Sequence, residues 1–450
     1  MEPPEDKLRK KPVDPQNKQQ ATGGDRRRGP MRWLQLLGPG LITGASDDDP
    51  SGIGTYSQIG SQFGLGLLWT ALFSFPLMLA VQELCGRIAL ETGEGLGSAL
   101  RKKFDARLIG VCILGLCVAN TINVGADLGA VAAGGSLLSR GLIAPIVLVV
   151  PAAALIVGLQ LFLTYATIFK IFKWLTTALF AYVVTLFIAH PAALDLLRAT
   201  FLPHFELTPD YSMALVAVLG TTISPYLFFW QASSEIDVLR AAGIRREKRK
   251  HQSDKQLREA RIDIAIGMFF SQAVMYAIVA TSATVLHAHG QNGIASAAQA
   301  AAALKPLAGP LAFVLFSVGI IGTGLLAVPI LSGSAAYAVR EFGGFEGSLG
   351  ARARYRPTFY LVMVVAAGLG AGINALHIDL VKALFYTAVI NGVVAPPLLV
   401  LIVLLGSDRK LMGKRVSGTL SRVLTWAATG LMGIAALVMI GFMATGKVGA

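Results

Sequence analysis

Charge is scarce in this sequence. Asp, Glu, Lys and Arg make up 14% of its 450 residues, against about 25% in an average soluble domain. With 54% hydrophobic residues and a mean hydropathy of +0.62, that deficit excludes a soluble globular chain. It points to a polytopic membrane bundle that is itself the single domain. Cysteine is scarcer still. Cys85, Cys112 and Cys117 lie in or beside apolar segments with no metal-site spacing, so they read as buried thiols rather than a disulfide framework. There are six histidines. His190, His287, His289 and His377 fall near span ends, and His287 and His289 share no helix face, so no histidine metal site is expected. No apolar h-region precedes Trp33, and a cleaved signal peptide is not expected. Negative charge is also in deficit, the formal net charge being +13. Such a balance can mean nucleic acid, but here the basic residues sit in loops between apolar segments, which fits the positive-inside rule better.

What is present is a series of about eleven apolar segments, each near or above the ~20 residues that cross a bilayer. The spacing predicts spans over about 33–57, 65–87, 108–137, 142–163, 168–190, 213–240, 262–287, 311–340, 359–376, 380–405 and 423–443. Residues 1–32 read as a disordered, basic tail. Residues 33–405 read as the membrane-spanning core and 406–450 as a basic loop with an accessory last span. The basic stretches 101–107, 170–173, 245–261, 339–356 and 408–422 fall on the same side as the tail. This pattern predicts a cytoplasmic N-terminus in an inner or plasma membrane.

The chain is organised around Ala45-Ser46-Asp47-Asp48-Asp49-Pro50-Ser51-Gly52-Ile53-Gly54, inside span 1. Each Asp at a helix centre costs ~2.5–3.5 kcal/mol, so the run costs roughly 8–10 kcal/mol. It is tolerated only where it faces protein or a water-filled cavity. In an intact helix adjacent side chains point about 100° apart and could not converge on one ion. Pro50, Gly52 and Gly54 instead favour a broken helix whose unwound middle offers carboxylate and carbonyl oxygens to a cation. The alternative is a plain loop between two short buried helices. Span 6 is interrupted at Gly220-Thr221-Thr222-Ile223-Ser224-Pro225-Tyr226. Alone this would read as a Pro-kinked helix. Paired with the first interruption, it points to a midplane site in an inverted-repeat transporter.

These two breaks resemble those of the NRAMP family of divalent-metal transporters, whose all-α, LeuT-like fold consists of two inverted five-helix repeats with broken helices 1 and 6. Gly38-Pro39-Gly40-Leu41-Ile42 followed by Asp49-Pro50 matches the family's first span in order and spacing. Gln82, Arg87, Thr92-Gly93 and Leu96 resemble its exit from span 2. The hydropathy match covers about Gly38 to Leu405; the motif match is confined to spans 1, 2, 6 and part of 3. The departures carry information. The family's Asp-Pro-Gly-Asn is here Asp49-Pro50-Ser51-Gly52, so the ligating asparagine is replaced by Gly52. Its Met-Pro-His is here Ser224-Pro225-Tyr226, so the thioether and the proton-linked histidine are both gone. In span 3 Asp127 stands where the family has a proton-pathway aspartate, but the glutamate three residues on is Ala130. These substitutions resemble the NRAMP-related magnesium transporters.

A thioether favours soft or borderline metals. Its loss and the added carboxylates imply Mg²⁺, with Mn²⁺ second, carried as a partly hydrated substrate; no cofactor is implied. The expected principal ligands are Asp48 and Asp49. Asp47 either binds directly or lies on the approach. The carbonyls of Ser46 and of Thr221 or Gly220 complete the shell. Gly52, and Ser224 in place of Met, are expected to leave room for retained waters. Tyr226, with an unperturbed pKa of about 10, is a poor proton carrier near neutral pH, so proton coupling is not expected. Asp127 and Asn391 are further lining candidates, although Asn391 reads in the first place as a helix-packing hydrogen bonder. Asn120, Asn123 and Asp127 put a polar stripe on span 3. Glu235 and Asp237 read either as lining an inner vestibule or, by a slight preference, as solvated charge at a helix end, and Gly368 and Gly372 as a close-packing pair. Among other function classes, an organic-solute carrier would bind a substrate carboxylate, which the Asp run opposes. An intramembrane aspartyl protease would need a facing Asp, such as Asp127, but has no use for the Pro-Gly break. A channel would differ from a carrier by large unitary currents. No nucleic-acid partner is implied; the partners are divalent ions and the lipid bilayer, and a monomer is compatible with the pattern.

Overall fold

A computed structural model describes residues 38–163, 167, 177–244, 249–345, 347–349, 356–376 and 379–445. The expected tail, the start of span 1 before Gly38, the start of span 5 with Lys170 and Lys173, the basic residues Arg245 to Lys248, and His377 lie outside the described residues. Among the described residues all regular structure is helical.

The helices are α1 (Pro39–Asp47), α2 (Pro50–Phe63), α3 (Trp69–Thr92), α4 (Leu96–Arg101), α5 (Ala106–Leu138), α6 (Pro145–Phe162), α7 (Phe180–Ile188), α8 (Ala193–Phe201) and α9 (Pro209–Thr222). They continue as α10 (Pro225–Ala241), α11 (Asp254–Val285), α12 (Ala297–Ala302), α13 (Lys305–Ala308), α14 (Ala312–Gly343), α15 (Pro357–Ile373), α16 (Leu380–Gly406), α17 (Arg409–Met412) and α18 (Thr419–Ala444). Among the described residues nine segments are long and apolar enough to cross a membrane, with α9 and α10 taken as one. The split pair α1–α2 and the nine-residue α7 lie within the two remaining expected spans.

Both breaks form where the sequence places them, by the same device. Proline cannot donate to the preceding turn but suits the first position of a helix. Pro50 therefore starts α2 and Pro225 starts α10, each at the first position after an extended residue, Asp49 and Ser224. Packing repeats between the halves. α1 lies along α11, and α10 lies along α3; α5 packs on α6, and α14 on α15; α5 also crosses α14. Exchanging each span for the one five later maps these contacts onto one another, which is what inverted repeats require. The accessory α18 covers α3, α9 and α16.

The α1–α11 contact is backbone on backbone. A Cβ on Gly40 would lie 2.4 Å from the Ile264 nitrogen, and one on Gly44 would lie 2.2 Å from the Gly267 carbonyl oxygen. Two expectations need correction. Positions 368 and 372 have nothing within 4 Å of a would-be Cβ, so they are not a packing pair. The close contact on that helix is made by Gly370, which meets Gly125 of α5. The second span, expected to end near residue 87, continues to Thr92, so Glu91 lies within α3 and is buried. It accepts from Arg415 at 3.1 Å and contacts His251 at 2.5 Å, tying two basic loops to the end of α3.

Candidate metal site

A helix end leaves carbonyls and N–H groups without intrahelical partners. Here two such ends meet at the centre of the bundle. Asp49 caps α2: its Oδ1 accepts from the Gly52 N–H at 2.7 Å and from the Ser51 hydroxyl at 2.6 Å. The Tyr226 hydroxyl, in the first turn of α10, donates to the Ser46 carbonyl at 3.0 Å and approaches Asp49 Oδ2 at 3.4 Å. One phenol thus joins the second break to the first. Asp47 turns the other way. Its Oδ2 accepts from the Ser271 hydroxyl of α11 at 2.6 Å, and that hydroxyl also lies 3.5 Å from Asp48 Oδ1.

Asp47, Asp48 and Asp49 are 0%, 5% and 1% exposed, so the site is shut from solvent. The donors to these carboxylates are hydroxyls and one backbone N–H, with no Lys, Arg or His among them. Asp47 Oδ1 has no partner. Asp127 of α5 is fully buried, near enough to Asp49 for their charges to interact, and neither of its oxygens is partnered. Buried negative charge without a counter-charge is unfavourable, and a cation is the group that would relieve it. Among the described residues no three His, Cys, Asp or Glu side chains converge as a metal-ligand group. In this conformation carbonyls, hydroxyls and water would have to complete the coordination of an ion.

On the second break Ser224 does not point outward. Its hydroxyl donates to the carbonyls of Gly220 and Thr221, each at 2.8 Å, leaving each carbonyl one lone pair. Gly220 is pressed on α16, where a Cβ would lie 2.1 Å from the Ala388 carbonyl oxygen. The room expected at Gly52 is not there. A Cβ at that position would lie 3.2 Å from the Asp47 carbonyl oxygen, 3.3 Å from Thr221 Oγ1 and 3.4 Å from the Tyr56 ring. Gly52 is what lets the two breaks touch. Space for water is instead suggested by buried groups without partners: both polar atoms of Asn391 and of Asn123, and both Asp127 oxygens. Asn120, by contrast, donates to the Leu331 carbonyl at 3.0 Å and ties α5 to α14.

Glu235 and Asp237 are not solvated helix-end charges. Glu235 is 6% exposed and accepts from Gln231, which in turn accepts from Thr43 of α1. Asp237 accepts from the hydroxyls of Tyr337 and Ser348 at 2.6 and 2.7 Å. Asp263 accepts from the N–H groups of Gly38, Gly40 and Leu41 at 2.8, 2.6 and 3.2 Å, so α11 caps the start of α1. Asp263 and Ser271 were missed by sequence reasoning. A single hydroxyl or carboxylate at the edge of an apolar span carries no local signature of what it meets.

A profile of the family described as natural resistance-associated macrophage protein-like, or Nramp, matches residues 40–441. Among curated relatives, a divalent metal cation transporter MntH of Erwinia tasmaniensis is 26% identical over 306 residues, covering 64% of this chain and 68% of that protein. An MntH of Yersinia pestis is 27% identical, covering 67% of this chain and 72% of the relative. Among solved structures, a manganese transporter of Eremococcus coleocola superposes with a TM-score of 0.70 at 17% identity, over 93% of this chain and 88% of that one. The nucleobase-cation-symport-1 family transporter Mhp1 superposes at 0.55 and 14% identity, over 91% of each chain. These two likenesses show the fold, a LeuT-like bundle.

Proposed function

Because the chain belongs to the Nramp family, a family of membrane transporters and not of enzymes, we propose that it carries divalent metal cations by alternating access. The ion is held where α1–α2 and α9–α10 are broken. The observation that carries this reading is the set of buried carboxylates at the first break with no cationic partner. Asp48 and Asp49 are the principal ligands, with Asp47 beside them. The Ser46 carbonyl and one of the Gly220 and Thr221 carbonyls complete the protein's share, and Ser224 holds the latter two in place.

The donor set offers oxygen only, which suits hard cations, Mg²⁺ and then Mn²⁺, over softer ones. Mg²⁺ dehydrates reluctantly and keeps several waters. The unpartnered groups of Asn123, Asp127 and Asn391 are the natural partners for those waters. Transport is not obligatorily proton-coupled, because Tyr226 and Ala130 stand where a relay would need titratable groups. The membrane potential alone supplies about 4.6 kcal/mol per 100 mV for two inward charges. The distribution of basic residues among the loops favours a cytoplasmic N-terminus.

A proton-coupled Mn²⁺ or Fe²⁺ transporter is the second reading. It is favoured by Asp127, whose unpartnered carboxylate beside Asp49 can take up a proton, and by the fold shared with a manganese transporter. Proteoliposomes with voltage clamped by K⁺ and valinomycin separate the two. The expected result is Mn²⁺ uptake inhibited by millimolar Mg²⁺ without internal acidification. Uptake indifferent to excess Mg²⁺ would overturn the selectivity, and acidification abolished by Asp127→Asn would overturn the uncoupled mechanism. Gly52→Asn with Ser224→Met should shift preference toward transition metals. Because position 52 is tight, that double variant is also expected to run more slowly.

A further inference from the structure

A cavity of about 480 Å³ opens between α5, α6, α15 and α16, away from the metal site. Its wall on α5 runs from Ile122 through Ala126 to Ala133, and its wall on α16 from Leu380 through Ala383 to Ile390. Ile146 and Tyr386, at its edge, are 46% and 48% exposed, so it faces outward from the bundle. We propose that this cavity binds one acyl chain of a membrane glycerophospholipid, with the lipid phosphate held at the mouth by Lys382 and Arg140.

Length supports this occupant. At 1.5 Å per residue the two walls run about 15–16 Å along their helices, the depth of one leaflet in a hydrocarbon core of ~30 Å. The cavity begins where α5 and α15 end and α6 and α16 begin, at the level of a headgroup. The lining is apolar apart from a few groups, and two of those are already satisfied. The Asn374 amide donates to the carbonyls of Gly125 and Gly370 at 2.8 and 3.2 Å, and the Thr387 hydroxyl to Leu384 at 2.7 Å. Such a space recruits a hydrocarbon chain in preference to a water cluster.

Charge supports it as well. Lys382 precedes the lining residue Ala383, and Arg140 lies in the turn between the lining residues Ala133 and Pro145. Both are exposed. The nearby Asp379 carboxylate is engaged in capping α16 through the Lys382 N–H at 3.0 Å. Two cations against one carboxylate favour an anionic headgroup. The wall on α5 is the back of the turn that carries Asp127, so an occupied cavity would also fix the separation of α5 from α16 behind the transport path.

The test uses the full chain in proteoliposomes doped with phosphatidylglycerol bearing a photoactivatable diazirine in one acyl chain. After irradiation the expected label concentrates on peptides covering 122–133 and 383–390, at least fivefold above the lipid-facing α18. Ala383→Trp, which fills the cavity, should abolish that excess while uptake persists. Lys382→Ala with Arg140→Ala should reduce it for phosphatidylglycerol more than for a phosphatidylethanolamine probe. Uniform labelling of all lipid-facing helices, or an excess that survives Ala383→Trp, would overturn the proposal. Equal loss with both probes would overturn the preference for an anionic headgroup, and no loss with either would overturn the phosphate contact.

Discussion

Asp49 has two jobs that a single substitution can separate. It caps α2 through the Gly52 N–H at 2.7 Å, and in the proposed mechanism its charge binds the ion. Asparagine caps a helix about as well as aspartate, whereas alanine loses about 1 kcal/mol. Asp49→Asn should therefore keep the wild-type melting temperature, and Asp49→Ala should melt lower. For the ion, a divalent charge about 3 Å from a carboxylate at an effective dielectric of ~20 gains roughly 11 kcal/mol before desolvation. If even a quarter survives dehydration of the ion, about 2.7 kcal/mol is lost with the charge, or roughly a hundredfold in affinity. The assay is Mn²⁺ uptake into proteoliposomes as a function of concentration, read beside a thermal melt of the same preparation. An Asp49→Asn protein with wild-type uptake would refute the ligand role. One that melts as low as Asp49→Ala would refute the separation of cap from charge.

Three further outcomes follow from the packing. Gly220→Ala drives a methyl to 2.1 Å from the Ala388 carbonyl oxygen and should cost more than the ~1–3 kcal/mol of ordinary overpacking. Gly368→Ala, into open space, should leave the melting temperature within about 2 °C, roughly 0.5 kcal/mol. Glu341 accepts from Arg340, Ser233 and the Gly97 N–H at 2.6, 2.7 and 2.7 Å while almost wholly buried. Glu341→Gln should therefore cost about 3–5 kcal/mol by stranding Arg340, and adding Arg340→Met should return part of that in a melt. At the surface, the Lys103 ammonium 2.9 Å from Asp408 holds that carboxyl below its ordinary value. Its contribution is present above about pH 4, the unfolded value, and fades as pH falls through the lower folded value. Asp408→Asn should flatten that part of an acid-stability profile.

Much of this architecture is local and therefore legible in the chain. Apolar runs long enough for a bilayer give the spans. Proline cannot continue a helix, so Pro50 and Pro225 fix where the two breaks restart. Three adjacent aspartates between apolar runs mark the centre because nothing else tolerates their burial. Partners distant in sequence were beyond such reasoning. Ser271 belongs to Asp47 only because α1 is seated on α11 through glycines at 40, 44 and 267. Glu235 and Asp237 look like solvated helix-end charges until α10 packs on α3 and buries the first, while the hydroxyls of Tyr337 and Ser348 hold the second. Gly52 reads as open space by its missing side chain, yet Thr221 of the other repeat closes on it. Composition and periodicity report what each segment must avoid or bury. Which oxygen meets which hydrogen across more than two hundred residues is decided by how the two repeats interlock.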